Sequence, residues 1–133
     1  MRYRDGCVMS GIDYIADTNA LLYIFKKNPC MKPYLDCRFG ISVVTDIELL
    51  SFPNITDEEE DAFSKMIDDS IEFPLDIFTK NRAIQIRRTY GTKLPDAIVA
   101  ATAIENKLPL VTADKEFKRI KELDLQLLEP KIS

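Results

Sequence analysis

The sequence predicts an α/β fold with a doubly wound, mostly parallel sheet covered by helices on both faces. Short strand-like segments alternate with helix-like segments along the chain, as a parallel sheet requires. Residues 94–106 are apolar nearly all the way round, which is typical of a buried helix. The length of 133 residues and the hydrophobic fraction of 46% suit one core. We therefore predict a single domain over residues 12–133, with three α/β/α layers in a Rossmann-like arrangement.

The N-terminal part of this domain predicts two strand–helix units. Residues 12–16 form a short apolar strand, and Asp17 then introduces a helical run over residues 20–25. After a connection broken by prolines, residues 39–44 are rich in β-branched side chains and predict a second strand. A helix over residues 46–52 completes the second unit.

The middle of the chain predicts two helices separated by an extended segment. Thr56 and Glu59 have the spacing of a capping box, which opens a helix rich in acids. That acidic run is typical of a solvated helix face. Residues 71–74 are the extended segment, and residues 76–90 predict the second helix, with Gly91 at its C′ position.

The C-terminal part repeats the alternation. Pro95 suits the first turn of the buried helix at residues 94–106. A strand at residues 108–112, a helix at 115–123 and a last strand at 125–128 follow.

Composition excludes several kinds of enzyme. The chain has no histidine, so a Ser-His-Asp triad, a Cys-His pair and a histidine general base are all excluded. Its cysteines, Cys7, Cys30 and Cys37, contain no C-x-x-C pair, and we interpret them as reduced, structural thiols. Hydrolytic chemistry must then use carboxylates, hydroxyls, lysines or a metal ion. A pI near 4.9 argues against a protein that simply wraps nucleic acid with a basic surface.

The sequence also predicts where the protein resides. Its apolar runs are shorter than the roughly 18 to 20 residues that span a bilayer. Residues 1–11 lack the apolar region of a secretory signal, and we treat them as an N-terminal extension that is either disordered or not native. We expect a cytoplasmic protein that does not bind membranes.

Four acids are the candidate functional residues. Asp17 and Asp114 each follow a predicted strand, Glu48 lies shortly after another, and Asp96 opens the buried helix. Any one of them could serve as a helix cap or a turn residue. Together they should converge, because ligands of open parallel sheets bind beyond the carboxyl ends of the strands.

Such a cluster of acids requires compensation. Two carboxylates about 4 Å apart repel by roughly 4 kcal/mol at an effective dielectric constant near 20. Mg²⁺ or Mn²⁺ suits a set of oxygen ligands that lacks histidine and thiolate. Thr112 and Asn19, two residues from Asp114 and Asp17, could orient a carboxylate or a bound water.

At this point the residues resemble a known family, the PIN-domain ribonucleases, and in particular the VapC toxins of VapBC toxin–antitoxin pairs. The resemblance covers about residues 12–130. It implies that Asp17, Glu48, Asp96 and Asp114 hold one or two ions of an endoribonuclease that leaves 5′-phosphate and 3′-hydroxyl ends. It favours Glu48 over Asp46, which would point about 200° away on a helix. The matching segments are IADTNALLYIF, ISVVTDIELL and LPDAIVAATAIENKLPLVTADKEF.

The resemblance also implies partners. Relatives of this type form homodimers and are held inactive by an antitoxin that inserts a peptide into the acidic cleft. Basic residues near the acids are candidates for contacts with RNA phosphates, although an ordinary solvated helix face would look the same. These residues are Arg87, Arg88, Lys93 and Lys115, and a further patch adds Lys118 and Arg119.

Two other functions are compatible with parts of the sequence. A non-catalytic PIN-like domain would keep the fold and bind RNA or protein without cutting it. An aspartate-based phosphatase or phosphotransfer protein would use Asp17 as the acceptor. The second alternative has less support, because the corner after the strand at residues 108–112 carries Asp114 where such proteins need a lysine.

Overall fold

The computed structural model describes residues 11–132. The predicted N-terminal extension therefore lies, apart from its last residue, outside the described residues. One or two α-helices follow each of the first three strands, and two 3₁₀ segments, Pro29–Tyr34 and Lys115–Arg119, lie before β2 and after β4. The elements are β1 (Tyr14–Ala16), α1 (Thr18–Phe25), β2 (Phe39–Ser42), α2 (Val43–Leu50), α3 (Asp57–Asp68), β3 (Ile71–Phe73), α4 (Ile77–Tyr90), α5 (Leu94–Glu105), β4 (Leu110–Thr112) and β5 (Leu125–Leu127).

The strands form one five-stranded sheet in the order β3-β2-β1-β4-β5, and every neighbouring pair is parallel. The order runs outward in both directions from β1, so the topological switch point lies between β1 and β4. Ile15 of β1 is in register with Gly40 of β2 and with Leu110 of β4. The predicted doubly wound α/β fold is confirmed.

Apolar clusters cover both faces of the sheet. Because side chains alternate along a strand, Ile15 belongs to the cluster that contains residues of α4 and α5. Its neighbour Ala16 belongs to the cluster with residues of α1 and α3. Leu110 and Val111 of β4 divide in the same way. This arrangement gives the three predicted layers.

Several local predictions are confirmed. Thr56 and Glu59 form both hydrogen bonds of the capping box at the start of α3. Gly91 has a left-handed backbone (φ 68°) just after α4, where a side chain would be strained. Half of the residues of α5 are buried, all of them between Ala97 and Ala103, while Leu94 at its start is exposed.

The predicted end of β2 is wrong. Residues 39–44 were expected to be extended, but the strand ends at Ser42 and α2 begins at Val43. The Ser42 hydroxyl accepts hydrogen bonds from the backbone N–H groups of Val44 and Thr45 at 3.1 and 3.4 Å. This N-cap outweighs the β-propensity of the two valines.

The predicted helix at residues 115–123 is also wrong. The segment is a short 3₁₀ turn, Lys115–Arg119, and Ile120 is already extended. Phe117 and Ile120 are both buried, and their spacing of three residues matches the period of a 3₁₀ helix. The segment therefore buries its apolar side chains without continuing as an α-helix.

No helix within residues 11–132 is long and apolar enough to cross a lipid bilayer.

Close packing at β2 provides a test of the fold. A Cβ atom on Gly40 would lie 2.4 Å from Cε2 of Phe73 and 3.0 Å from Cδ1 of Ile15. We expect Gly40→Ala to lower the free energy of unfolding by about 1–3 kcal/mol, the usual cost of overpacking, in urea titrations. Glu60→Ala, at an exposed position of α3, is the control and should change stability little. Equal stability of Gly40→Ala and the wild type would contradict this packing.

Candidate active site

The four candidate acids line one cleft, here called the acid cleft, at the carboxyl ends of the strands. Asp17 follows β1 and Asp114 follows β4, the strands on either side of the switch point. Glu48 reaches the cleft from α2, and Asp96 from the first turn of α5. The cleft has a volume of about 360 Å³. Its other lining residues are Thr18, Asn19, Leu22, Ser51, Phe52 and Val99.

Asp17 is the most buried of the four acids, with 6% of its surface exposed. It caps α1, since its Oδ1 accepts a hydrogen bond from the backbone N–H of Ala20 at 2.9 Å. Its Oδ2 accepts a hydrogen bond from the Thr112 hydroxyl. Burial raises the pKa of Asp17 to about 6 despite these two hydrogen bonds, and repulsion from Asp114 and Asp96 adds to the rise. The site therefore opposes the negative charge of Asp17.

Thr112 connects two of the acids. Its hydroxyl donates to Asp17 and accepts a hydrogen bond from the backbone N–H of Asp114 at 3.0 Å. Its side chain is fully buried. Thr112, named from the sequence as a candidate supporting residue, thus hydrogen-bonds both Asp17 and Asp114. Asn19, the other predicted supporting residue, lines the cleft on the first turn of α1.

Glu48 faces the acid cleft and Asp46 does not line it. The Glu48 carboxylate accepts a hydrogen bond from the Thr18 hydroxyl. The Asp46 carboxyl instead hydrogen-bonds the side chain of Glu72, which raises the pKa of Glu72. Sequence reasoning missed Thr18. Its only signal was its place next to Asp17, because its contact with α2 spans 30 residues of sequence.

Asp96 and Asp114 are partly buried and interact electrostatically. Burial raises the pKa of Asp96, repulsion from Asp114 and Glu48 raises it further, and the nearby charge of Lys93 opposes the rise. The Asp114 Oδ1 accepts a hydrogen bond from the backbone N–H of Glu116 at 2.9 Å. Both Asp96 and Asp114 line the acid cleft and also a second depression beside it.

The second depression, here called the basic pocket, has a volume of about 190 Å³ and brings two cations beside the acids. Lys93 and Arg119 both line it. Arg119 also donates a hydrogen bond of 2.7 Å to the Tyr90 carbonyl, which fixes the adjacent loop. The remaining lining residues are Gly91, Thr92, Asp96, Asp114, Glu116 and Phe117.

The other predicted phosphate-binding residues do not line either depression. Arg87 donates a hydrogen bond to the Thr92 carbonyl at 3.2 Å and lies beside an apolar groove between α4 and α5. Arg88 and Lys115 are exposed and lie outside the lining of the acid cleft and the basic pocket. Of the four bases named from the sequence, the structure therefore brings Lys93 to the acids.

The donor atoms at the site fit a hard divalent cation, because all four side chains offer carboxylate oxygens. Within residues 11–132, however, no three acidic or thiol side chains are placed closely enough to hold a metal ion together. The hydroxyl of Thr112 holds the Asp17 carboxylate, and the hydroxyl of Thr18 holds the Glu48 carboxylate. The acids therefore share a cleft, and coordination of one ion requires side-chain rotations toward a common point.

Comparison with known proteins identifies the fold and family. The family model of the PIN domain matches residues 14–123. No curated protein matches the sequence. A toxin–antitoxin complex from Klebsiella pneumoniae contains a chain that is 26% identical, with a TM-score of 0.72, and the match covers 84% of this chain and 95% of that one.

Two further solved structures share the fold at lower identity. VapBC2 from Rickettsia felis, bound to a DNA fragment from its promoter, is 20% identical, with a TM-score of 0.77 and coverage of 89% of this chain and 100% of that one. DNA-bound VapBC from Salmonella typhimurium is also 20% identical, with a TM-score of 0.77 and coverage of 87% and 98%.

The raised pKa of Asp17 predicts a pH-dependent stability. This pKa is about 6 in the folded protein and close to 3.8 in the unfolded chain, so the folded state binds the proton more tightly. The stability that protonated Asp17 contributes is complete below pH 3.8 and is lost as the pH rises to about 6. The free energies of unfolding of Asp17→Asn and the wild type are compared at pH 4 and at pH 7 without metal. Between these two pH values the comparison should shift in favour of Asp17→Asn by up to about 3 kcal/mol.

Urea unfolding in EDTA across this pH range measures the effect. Glu60→Gln, which removes an exposed acid on α3, should keep the wild-type pH dependence. If Asp17→Asn keeps it as well, the buried carboxyl is not the titrating group.

Proposed function

Since the chain belongs to the PIN-domain family, whose members are generally nucleases, we propose that it is a divalent-metal-dependent endoribonuclease. The observation that carries this proposal is the meeting of four acids in one cleft at the switch point of a parallel sheet. The chain has no histidine that could serve as the general base. The match over residues 14–123 also supports one PIN-like domain over residues 12–133.

The acids and their hydroxyl partners have separate roles in this proposal. Asp17, Asp96 and Asp114 would hold Mg²⁺ or Mn²⁺, with Glu48 as a further ligand or the group that positions the attacking water. A bound ion would supply a water of lowered pKa and offset charge on the phosphate. Attack by water would leave 5′-phosphate and 3′-hydroxyl ends.

The basic pocket is the proposed site for a phosphate next to the cut. Lys93 and Arg119 line it together with Asp96 and Asp114, so a phosphate there would adjoin the reacting bond. Charge-assisted hydrogen bonds from these two side chains would orient the RNA. Arg87, Arg88 and Lys115 lie farther along the surface and would contact phosphates outside the cleft.

We further propose that the protein is a VapC-type toxin with an antitoxin partner. The support is that the similar structures named above are toxin–antitoxin complexes. A peptide that carries a basic side chain would complement the acid cleft. Because its proposed substrate is RNA, we place the protein in the cytoplasm.

Homodimerisation is part of the same proposal. Large apolar side chains are exposed along α2, α4 and the start of α5, and grooves lined by Leu94 and Ile98 run between them. Exposed apolar patches of this kind mark interaction surfaces. The exposed residues are Ile47, Ile77, Phe78, Ile84 and Leu94.

Cleavage of an RNA pool with Mg²⁺, with Mn²⁺ and with EDTA tests the nuclease. We expect metal-dependent cutting that disappears in EDTA and falls by more than about 100-fold in Asp96→Asn, because even outer-shell partners of metal ligands account for roughly 10–100-fold. Asp46→Asn is the control, since its carboxyl pairs with Glu72 outside the acid cleft. If metal raises the melting temperature without any cutting, the non-catalytic PIN-like alternative is the better description.

Thr112 tests whether the hydroxyl positions the acids. Thr112→Val keeps the side-chain volume but removes the group that donates to Asp17 and accepts from Asp114. Cleavage should fall by roughly 10–100-fold. Thr112→Ser should restore most of the activity, because it returns the hydroxyl. Similar losses of cleavage in both variants, with unchanged melting temperatures, would show that the Thr112 hydroxyl does not position the acids.

A further inference from the structure

We propose that the aromatic ring of Phe52 is the platform on which an unpaired base next to the cleaved bond stacks. This inference rests on the proposed nuclease function and deepens it. It concerns a part of the acid cleft that the basic pocket does not share, since Phe52 lines the cleft and does not line that pocket.

The distribution of charge around the acids indicates which part of a nucleotide would enter the acid cleft and which part would enter the basic pocket. None of the described residues that line the acid cleft is basic, whereas Lys93 and Arg119 both line the basic pocket. The two depressions share Asp96 and Asp114, so a chain that crosses these acids enters both. A phosphate is stabilised where the cations are. The part of the nucleotide that enters the acid cleft beyond the carboxylates is then its uncharged part, the base.

Phe52 offers the right surface for a base. It lies two residues beyond the end of α2, lines the acid cleft, and has 38% of its surface exposed. Leu22 and Val99 are the other apolar residues of the cleft lining. Of these three, Phe52 is the exposed one, whereas Val99 is buried and Leu22 is half-buried. Stacking against an aromatic base, which every RNA supplies, would remove the apolar surface of the Phe52 ring from water.

The ring of Phe52 is supported from behind. Its centroid lies 6.3 Å from that of Phe63, with the planes at 65°, in an edge contact. Phe63 is 2% exposed and belongs to the core cluster that includes α1 and α3. At the preceding residue, the Ser51 hydroxyl donates to the Ile47 carbonyl at 2.5 Å and fixes the end of α2. These contacts restrain the ring at its place in the cleft lining.

Stacking on Phe52 selects for single strands. A base in a duplex has neighbours on both faces, so it must unstack before it can lie against a protein ring. Every base has a π face, so the platform would tolerate different bases. Asn19 lines the same cleft and offers an amide donor and acceptor to a base edge.

Binding to a short RNA that contains 2-aminopurine tests the proposal in the Asp96→Asn background, which separates binding from cleavage. We expect 2-aminopurine fluorescence to be quenched on binding. Phe52→Leu, which keeps an apolar side chain but removes the ring, should abolish the quench and weaken single-strand binding by about tenfold or more. Phe52→Tyr should keep both, and the matching duplex should bind more weakly and respond to neither change.

The outcomes separate this inference from the nuclease itself. If the wild type cuts RNA but Phe52→Leu binds the single strand as tightly as before, the stacking proposal is wrong and the exposed ring serves another partner, such as a protein segment. If Phe52→Leu and Phe52→Tyr lose binding equally, or duplex binding falls as much, the ring is merely structural. If the wild type neither cuts nor binds RNA, both proposals are wrong.

Discussion

The burial of the Asp17 carboxylate is the constraint on which the rest of the site depends. The residue follows β1, caps α1 and is the most buried acid in the lining of the acid cleft. Two hydrogen bonds, from Ala20 and Thr112, compensate only part of the cost of burying its charge, so its pKa stays high. A cation in the cleft would remove that cost. In the proposed nuclease, the fold would thus hold its first acid where a bound ion offsets the cost of burial.

Small side chains behind the acids make this arrangement possible. Ala97, Ala100 and Ala101 on α5 are completely buried, and this helix contacts both β1 and β2. A helix with alanines on its buried face can approach the sheet closely, because no large side chain separates the two. The first turn of α5 therefore lies near the carboxyl ends of the strands, and Asp96 reaches the same cleft as Asp17. The position of Asp96 therefore depends on how α5 packs in the core.

The parts that sequence reasoning predicted well are those set by short-range patterns. The alternation of strands and helices, the capping box at Thr56 and the left-handed Gly91 depend on neighbouring residues, and the structure agrees. The predicted end of β2 was wrong because the two valines after Ser42 have high β-propensity. The Ser42 hydroxyl caps a helix that begins at the first of them, and this cap outweighs that propensity. The 3₁₀ turn after β4 was missed because burial of Phe117 and Ile120 had to be known first.

Long-range contacts account for the rest of what the sequence could not show. The bond from Thr18 to Glu48 and the pairing of Asp46 with Glu72 depend on how α2 lies against α1 and β3. Among the bases, Lys93 adjoins the acids because it precedes α5, whereas Arg87 and Arg88 lie on α4 and face elsewhere. Helical spacing alone places residues on a face and does not say which face meets a cleft.

The charge of the chain then limits how RNA could be held. With a net charge of −4 and two cations in the basic pocket, few phosphates can be neutralised, so the gain from counterion release is small. In the proposed nuclease, affinity for RNA would therefore come mainly from an ion held by the acids and from contact with the base. Both sources act at the cut itself, and the exposed bases Arg87, Arg88 and Lys115 would add weaker contacts along the strand. An acidic chain can therefore be a nuclease if it recognises a short single-stranded element, and the open aromatic ring beside the four carboxylates is where such recognition would begin.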